Sequence, residues 1–469
     1  MASLASSLAL LGSFFPPDFA PHYLVALIGP VLESIGMTAG AMLIAYVLSL
    51  PLGVFIGLRG EGTGALHAVL SGIRAIPDLT LAIFGVIFFG VGPGAGMIAM
   101  AVFYTAAVAK IFGDLFRTAD AAPLEALRAT GASPVKVAVF GLLPLKLRDV
   151  LTYSSYEFES AIRASVIVGA VGGGGLGAEL VGTLNAFDFH RTTTLILVLI
   201  LMVAAVDQIT VRLRRHPTWL VALLPPAAYA LWLYLPQQAS FIHAGHTIAG
   251  MFPPELGAAA WAKVPGLLAE TAEMAIFGTA LGILLALPLG LLSARNVAPS
   301  LLALPIRRFL EALRAIPEVV WGLVLVAVAG VGPYAGILAL GFHSAGCLGR
   351  LFAESFENVR SAPVLAVAST GASGLAVASY ATIPLAFGPL GVHALFRLEW
   401  NLRQATVVGM IGAGGIGQAL FDAQQLFFYR QMIAYLLITW VIVLAVDRAS
   451  EWTRNSIGWT QCAPEEMGG

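Results

Sequence analysis

Arg74-Ala75-Ile76-Pro77 returns as Arg314-Ala315-Ile316-Pro317, Thr130-Gly131-Ala132-Ser133 as Thr370-Gly371-Ala372-Ser373, and Pro144 as Pro384, each pair 240 positions apart. The same offset carries Glu159 to Glu399, Arg163 to Arg403, Gly177 to Gly417 and Asp207 to Asp447, so no net insertion separates these landmarks. Earlier pairs, Phe15-Pro16-Pro17 with Phe252-Pro253-Pro254 and Leu50-Pro51-Leu52-Gly53 with Leu287-Pro288-Leu289-Gly290, lie 237 apart, which places one three-residue difference in the following loop. Self-similarity at a fixed spacing is the mark of a repeated architecture. The chain is written twice, and any fold must be two copies of one unit.

Lipid is the solvent that suits both copies. Of 469 residues 58% are apolar and 11% charged, and the mean hydropathy is +0.88, which leaves too little polar surface to cover soluble domains. Twenty-five Lys and Arg balance 26 Asp and Glu, so nothing in the charge points to nucleic acid. The two cysteines, Cys347 and Cys462, have no metal-ligand spacing and read as incidental; no metal site is expected. The N-terminal apolar stretch has no Lys or Arg before Arg59, so it lacks the basic start of a cleaved signal and is expected to stay on the mature protein.

A membrane span needs about 20 apolar residues. Five such stretches are expected in the first copy, at about 34–58, 68–90, 95–116, 149–169 and 192–211, with Val91-Gly92-Pro93-Gly94 and its echo Val331-Gly332-Pro333-Tyr334 as turns. An odd number of spans would invert the second copy unless another crossing intervenes. Trp219 to Leu235, apolar and rich in Trp and Tyr, supplies it and brings the expected total to eleven. Arg59, Arg74, Lys110, Arg117, Arg128, Lys136, Lys146, Arg148 and Arg212 to Arg215 then share one side with Arg295, Arg307, Arg308, Arg314, Arg350 and Arg360. That crowded side is cytoplasmic by the positive-inside rule, which puts the N-terminus outside and the C-terminus inside. The predicted organisation is all-α: a first repeat over 1–215, a connecting span and outer linker over 216–250, a second repeat over 251–455 and a cytoplasmic tail over 456–469. Two parallel copies imply a pseudo-twofold axis along the membrane normal and a path between them.

On the cytoplasmic side the loop Ala122-Pro-Leu-Glu125-Ala126-Leu127-Arg128-Ala129-Thr130-Gly131 leads to Leu143-Pro144. Pro123 near its start and Gly131 near its end punctuate a short helix. An ordinary interfacial helix explains one such loop, but its recurrence in the second copy favours a working part. These residues resemble the coupling loop of ABC-importer permeases, which has a Glu-Ala-Ala-like start, a Gly, and a Leu-Pro or Ile-Pro about a dozen residues beyond. The resemblance implies that the segments at about 121–136 and 361–376, through Glu125, Ala126, Gly131, Pro144, Gly371 and Pro384, dock onto cytoplasmic ATPases and pass their closure to the spans. The second copy has Leu365 where Glu125 stands, and Ala368 and Ala376 in place of Arg128 and Lys136, so stronger coupling is expected from the first half. No Gly-x-x-x-x-Gly-Lys-Ser/Thr phosphate loop occurs, so the chain needs a separate ATPase.

The fourth span of each copy ends in a run of one design. Glu159-Ser-Ala-Ile-Arg163 leads to Gly172, Gly174, Gly175 and Gly177, and Glu399-Trp-Asn401-Leu-Arg403 leads to Gly412, Gly414, Gly415 and Gly417. Glu and Arg four apart share a helix face and can pair. Such charges are expensive in lipid, about 2.5 to 3.5 kcal/mol each on insertion scales, so that face should turn into protein or water. Both a structural ion pair and a substrate-path role for Glu159, Arg163, Glu399, Asn401 and Arg403 stand at this point. The glycines follow a span rather than a β-strand, so they suit close helix packing or backbone lining a path, not a dinucleotide loop.

With Phe14-Phe-Pro-Pro-Asp18 and Arg-Ala-Ile-Pro-Asp/Glu, the whole set looks like the phosphonate/phosphite branch of ABC-importer permeases, over residues 14–214 and 251–453. What the resemblance implies is a fold of two parallel five-helix type I permease repeats joined by a connecting helix, in a bacterial inner membrane. It also implies two copies of an ATPase that holds the ATP and Mg2+, an extracytoplasmic phosphonate-binding protein, and no cofactor or catalytic residue in this chain. A methionine-type permease and a secondary transporter with inverted repeats are the alternatives.

Overall fold

A computed structural model describes residue 10 and residues 12–59, 63–215, 220–238 and 248–456. The expected tail after 456, part of the linker and Cys462 lie outside the described residues. Within them the chain is helical, with no strand. It divides into two compact units, and the division falls between Gly250 and Met251, where the second repeat begins.

The first unit opens with a short helix, α1 (Pro21–Ala26), and the long α2 (Ile28–Arg59). Then come α3 (Gly64–Ala75), α4 (Asp78–Phe89), α5 (Pro93–Arg117) and two short helices, α6 (Ala121–Ala129) and α7 (Pro134–Val137). The unit continues with α8 (Leu143–Val168), α9 (Gly175–Asn185), α10 (Phe189–Arg215) and the connecting helix α11 (Leu220–Gln238). The second unit repeats the order as α12 (Ala258–Ser293), α13 (Ser300–Ala315), α14 (Glu318–Ala329), α15 (Pro333–Glu357), α16 (Ser361–Ala368), α17 (Gly374–Val377), α18 (Ile383–Val408), α19 (Gly415–Gln425) and α20 (Tyr429–Ser456).

Seven described helices are long and apolar enough to cross a membrane, and ten spans result if each sharply bent pair counts as one. That is five per repeat. The connecting α11, at about 1.5 Å per residue, reaches about 28 Å and packs on α2, with Tyr234 and Ala230 close to Gly36.

Two expected boundaries change. The stretch 68–90 is not one helix: α3 and α4 meet at 84°, and α13 and α14 at 85°. Ile76 is extended, with ψ 128, because a residue before proline is driven out of the helical region, and Pro77 has no N–H to continue the ladder. Each leg has only 12 residues in the first copy, about 18 Å, so neither crosses alone. The expected fourth span, 149–169, is also longer. Helical backbone runs from Pro134 to Val168 through one π-turn, so no loop separates the short exposed segment from the span.

The core of each unit is the pair formed by its first and third spans, α2 with α5 and α12 with α15. Small residues let these backbones approach: Gly53 faces Phe112, Gly113 faces Ile56, and Gly290 lies against the Gly349 carbonyl. In lipid, where no hydrophobic force drives helices together, such close packing supplies the attraction.

Candidate functional site

In each unit the fourth span carries three features in sequence: a short exposed helix, a charged segment and a glycine break. Asp120 opens α6 by accepting from the Ala122 N–H at 3.1 Å, which satisfies one of the orphan donors of a helix start. The inner face of α6 packs Leu124 and Leu127 over Gly141, and Leu124 belongs to the same buried cluster as Val137 and Leu142. Glu125, Ala126 and Arg128 on the outer face are exposed. Gly131, at φ +80, then reverses the chain into α7, and a single wide π-turn over Ala138–Leu142 joins α7 to α8. Pro144 follows the π-turn inside the continuing helix, where the wider thread accommodates a residue with no N–H. Gly371 has the same φ, Ala378–Thr382 the same π-turn, and Pro384 the same place.

Glu159 and Arg163 pair as the four-residue spacing predicts, Arg163 Nη1 donating to Glu159 Oε1 at 2.7 Å, with Glu159 buried. The second copy adds an aromatic contact and a buried polar cluster. Arg403 lies over the Trp400 ring, 5.9 Å from its centroid, within cation–π range. Asn401 is fully buried and gives hydrogen bonds to Thr279 Oγ1 and Ser344 Oγ, both at 2.9 Å, and Ser344 also accepts from Arg397 Nε at 2.8 Å. Asn401 thus ties α12, α15 and α18 of one unit together rather than presenting a free amide to a path. Nearby, His343 Nε2 stands 3.4 Å from Glu318 Oε2 and 3.5 Å from Cys347 Sγ, and Trp400 Nε1 reaches Glu318 Oε1 at 3.3 Å. Cys347, which reads as incidental in the sequence, is part of this buried polar cluster. The first copy has Phe103 and Ala107 where His343 and Cys347 stand.

The glycine run breaks the helix and turns it by 59° in the first unit. Gly172, Gly174 and Gly175 have φ of +107, +82 and +66, and Gly412, Gly414 and Gly415 have +108, +97 and +69, values that residues with a Cβ rarely adopt. Gly177 has another reason to be glycine: a Cβ there would collide with the Val166 carbonyl, and one on Gly417 with the Thr406 carbonyl. The break is stitched to the neighbouring turn by backbone bonds, Gly92 N–H to Gly172 O at 2.8 Å and Gly332 N–H to Gly412 O at 3.1 Å.

A helix restarted inside a membrane protein exposes orphan N–H groups. Here the first span meets them. Glu33 Oε2 accepts from the Gly175 N–H at 2.7 Å and Ser34 Oγ from the Leu176 N–H at 2.9 Å; Glu270 Oε2 and Thr271 Oγ1 accept from Gly415 and Ile416 at 2.8 and 3.0 Å. The carboxylates also suit the positive end of each helix. Sequence reasoning missed these residues, although the 237 offset carries Glu33-Ser34 onto Glu270-Thr271.

At the start of the first unit, Asp18 pairs with Arg191 at 3.2 Å, and Thr193 and Thr194 donate to the Phe14 and Asp18 carbonyls at 2.8 Å each, so the Phe-Phe-Pro-Pro-Asp segment is bound to the head of α10. Glu255 and Arg430 repeat the ion pair more loosely, at 3.6 Å.

The family described as binding-protein-dependent transport system inner membrane component matches this chain twice, over residues 49–216 and 286–457. The phosphate-import permease protein PhnE of Mycolicibacterium smegmatis is 28% identical over 96% of this chain and 88% of its own length. The phosphite transport system permease protein PtxC of Stutzerimonas stutzeri is 39% identical over 44% of this chain and 74% of its own length. The putative phosphite transport system permease protein HtxC of the same organism is 36% identical over 55% of this chain and 92% of its own length.

Proposed function

The chain belongs to the family of binding-protein-dependent transport system inner membrane components, matched in both halves, and from that premise we propose that it is the complete membrane path of an importer for tetrahedral phosphorus oxyanions. Phosphonate, phosphite and related anions are the intended class, supported by relatives named for phosphite transport and for phosphate import and by an arginine at matched places in the two fourth spans. A guanidinium has five N–H donors in a planar fork, so Arg163 can hold Glu159 and still offer donors to such an anion.

The observation that carries the reading is the continuity of each fourth span. An exposed helix and Gly turn at one end run through a π-turn into the helix that bears the charged segment and the glycine break. In this proposal α6 and α16 each receive one copy of a cytoplasmic ATPase, which holds the ATP and Mg2+. Domain closure tilts α8 and α18, and the glycine breaks let α9 and α19 keep their places while the spans below them move. An extracytoplasmic binding protein delivers the anion on the other face. The N-terminus then lies outside and the C-terminus in the cytoplasm. In this proposal α11 also crosses the membrane, so that two repeats of five spans run the same way up; the inverted-repeat alternative requires that it does not.

The test is uptake by vesicles that carry this chain, its ATPase and its binding protein. ATP-dependent entry of phosphonate or phosphite, with little entry of methionine, is the expected result; methionine entry alone ends the reading.

A further inference from the structure

Arg397 stands near the middle of the helical stretch Gly374–Ala413 and is only 9% exposed. A charge at that depth of a membrane protein is costly, so the groups that answer it define its purpose. One answer is visible. Nε donates to Ser344 Oγ at 2.8 Å, and Ser344 in turn accepts from Asn401 Nδ2, which also reaches Thr279. Arg397 and Asn401, four residues apart on α18, share a helix face, so this lock fixes the direction of the guanidinium.

The outer fork is unanswered. Nη2 is buried and has no hydrogen-bond partner among the described residues. Glu318, the acid of the same cluster, accepts from Trp400 Nε1 and faces His343 Nε2, and it makes no ion pair with Arg397 among the described residues. An arginine that only ties helices together directs its donors to them, because a buried charged group left unbonded is far more costly than a neutral one. Water can take one N–H but brings no balancing charge. Nor does the fold call for this arginine. At the matched places the first repeat has Glu157 for Arg397, Tyr104 for Ser344 and Met42 for Thr279, and it builds the same order of helices.

We propose that Arg397 is an anion contact of the second repeat: its Nη fork takes oxygens of a phosphonate or phosphite group in transit, while Ser344 and Asn401 hold the Nε side. The inference rests on the importer reading and adds to it a residue that selects the substrate class. A planar fork matches two oxygens of a tetrahedral oxyanion, and the anion supplies both the missing acceptors and the balancing charge. This contact belongs to the second repeat alone, since Glu157 at the matched place in the first would repel the same anion.

The test reads binding directly. The full chain in nanodiscs is heated with increasing phosphite, at a constant ionic strength set with chloride, and a ligand that binds the folded state raises the unfolding midpoint. The parent should gain stability from phosphite. In Arg397→Gln the phosphite concentration that gives the same gain should rise about tenfold or more, and Arg397→Lys, which keeps the charge without the fork, should fall between the two. A glutamine variant that responds to phosphite within about twofold of the parent overturns the proposal. So does one whose phosphite-free midpoint drops while its response persists, the mark of an arginine that only ties helices. Where Arg397→Gln does not fold, Arg397→Lys decides, and a response equal to the parent's overturns the role of the fork. A parent that transports phosphite yet gains no stability from it overturns the proposal as well. A parent that, with its ATPase and binding protein, imports no phosphite counts against the importer reading itself.

Discussion

The two exposed helices of the fourth spans, Ala121–Ala129 and Ser361–Ala368, have the same length of turn, the same left-handed glycine and the same π-turn, yet opposite chemistry. The first is capped by Asp120, shows Glu125 and Arg128 to solvent and buries Leu124. The second has no charged residue within it, buries none of its residues, and exposes Leu365. By contrast, the glycine breaks and the carboxylate clips that hold them are alike in both units to within a few tenths of an ångström. The duplicated joint has the same geometry in both units while the exposed helices differ in chemistry. Geometry at the joint is set by backbone sterics, which tolerate little, whereas a solvent-facing surface is constrained only by what binds it.

The sharpest way to break this contrast is to add one methyl group to the joint. Gly177→Ala and Gly417→Ala each force a Cβ against a backbone carbonyl that has no side-chain freedom to yield. Each should cost about 3 kcal/mol or more and lower the yield of folded permease from membranes to the same degree in either half. A tolerated alanine in one half would show that the joints are not equivalent. Next in size are the clips. Glu33→Ala leaves the Gly175 N–H without its acceptor, a loss of about 1 to 3 kcal/mol, while Glu33→Gln keeps an acceptor oxygen and should lose less; Glu270 should behave alike. Thermal unfolding in detergent ranks the four variants, and equal loss from Ala and Gln would remove the hydrogen bond from the explanation.

The exposed helices should respond unequally. Replacing Glu125 and Arg128 by alanine should reduce ATP-driven uptake about tenfold, the equivalent of about 1.4 kcal/mol, and Leu365→Ala should reduce it about twofold. Salt sharpens the point: raising ionic strength towards about 1 M shortens the screening length to about 3 Å and should weaken coupling through the first helix while sparing the second. Uptake that falls equally from either side would mean the difference in chemistry has no functional consequence. The smallest effect expected is at Asp18. The Ala20 N–H, aided by Arg191, holds its carboxyl below the usual 3.8 despite some desolvation. A depressed carboxyl contributes fully above that value and loses its contribution as pH falls below it towards the folded-state pKa. Asp18→Asn should therefore flatten the acid limb of thermal stability slightly, and an unchanged limb would assign it elsewhere.

How legible all this was depends on what kind of signal each feature leaves. The repeat and the turn glycines, Gly131 and Gly371, were readable because identical residues recur at one offset. Glu159 with Arg163 was readable because helical spacing is local. The bends at Ile76-Pro77 and Ile316-Pro317 went unread as breaks, although a residue ahead of proline is a helix boundary by sterics alone, because apolar length outweighed it. Glu33 and Glu270 sit at the far end of another helix from the amides they cap, and no local pattern links them. Glu399 and Arg403 stand at the same spacing, and the Trp400 ring that Arg403 also lies over is a contact no spacing rule announces. His343, Glu318 and Arg397 come from three separate helices, and nothing in the first copy hints at their meeting.

The π-turns at Ala138–Leu142 and Ala378–Thr382 have a further consequence. Each closes with an amide reaching back five residues, Leu143 to Ala138 and Ile383 to Ala378, so the screw thread there is wound one notch wider than on either side. A π-turn holds one residue more than the α-turn it replaces, so a single deletion inside Ala138–Leu142 would let the thread close to its regular pitch and press Pro144, which has no N–H, into an unbroken α-ladder.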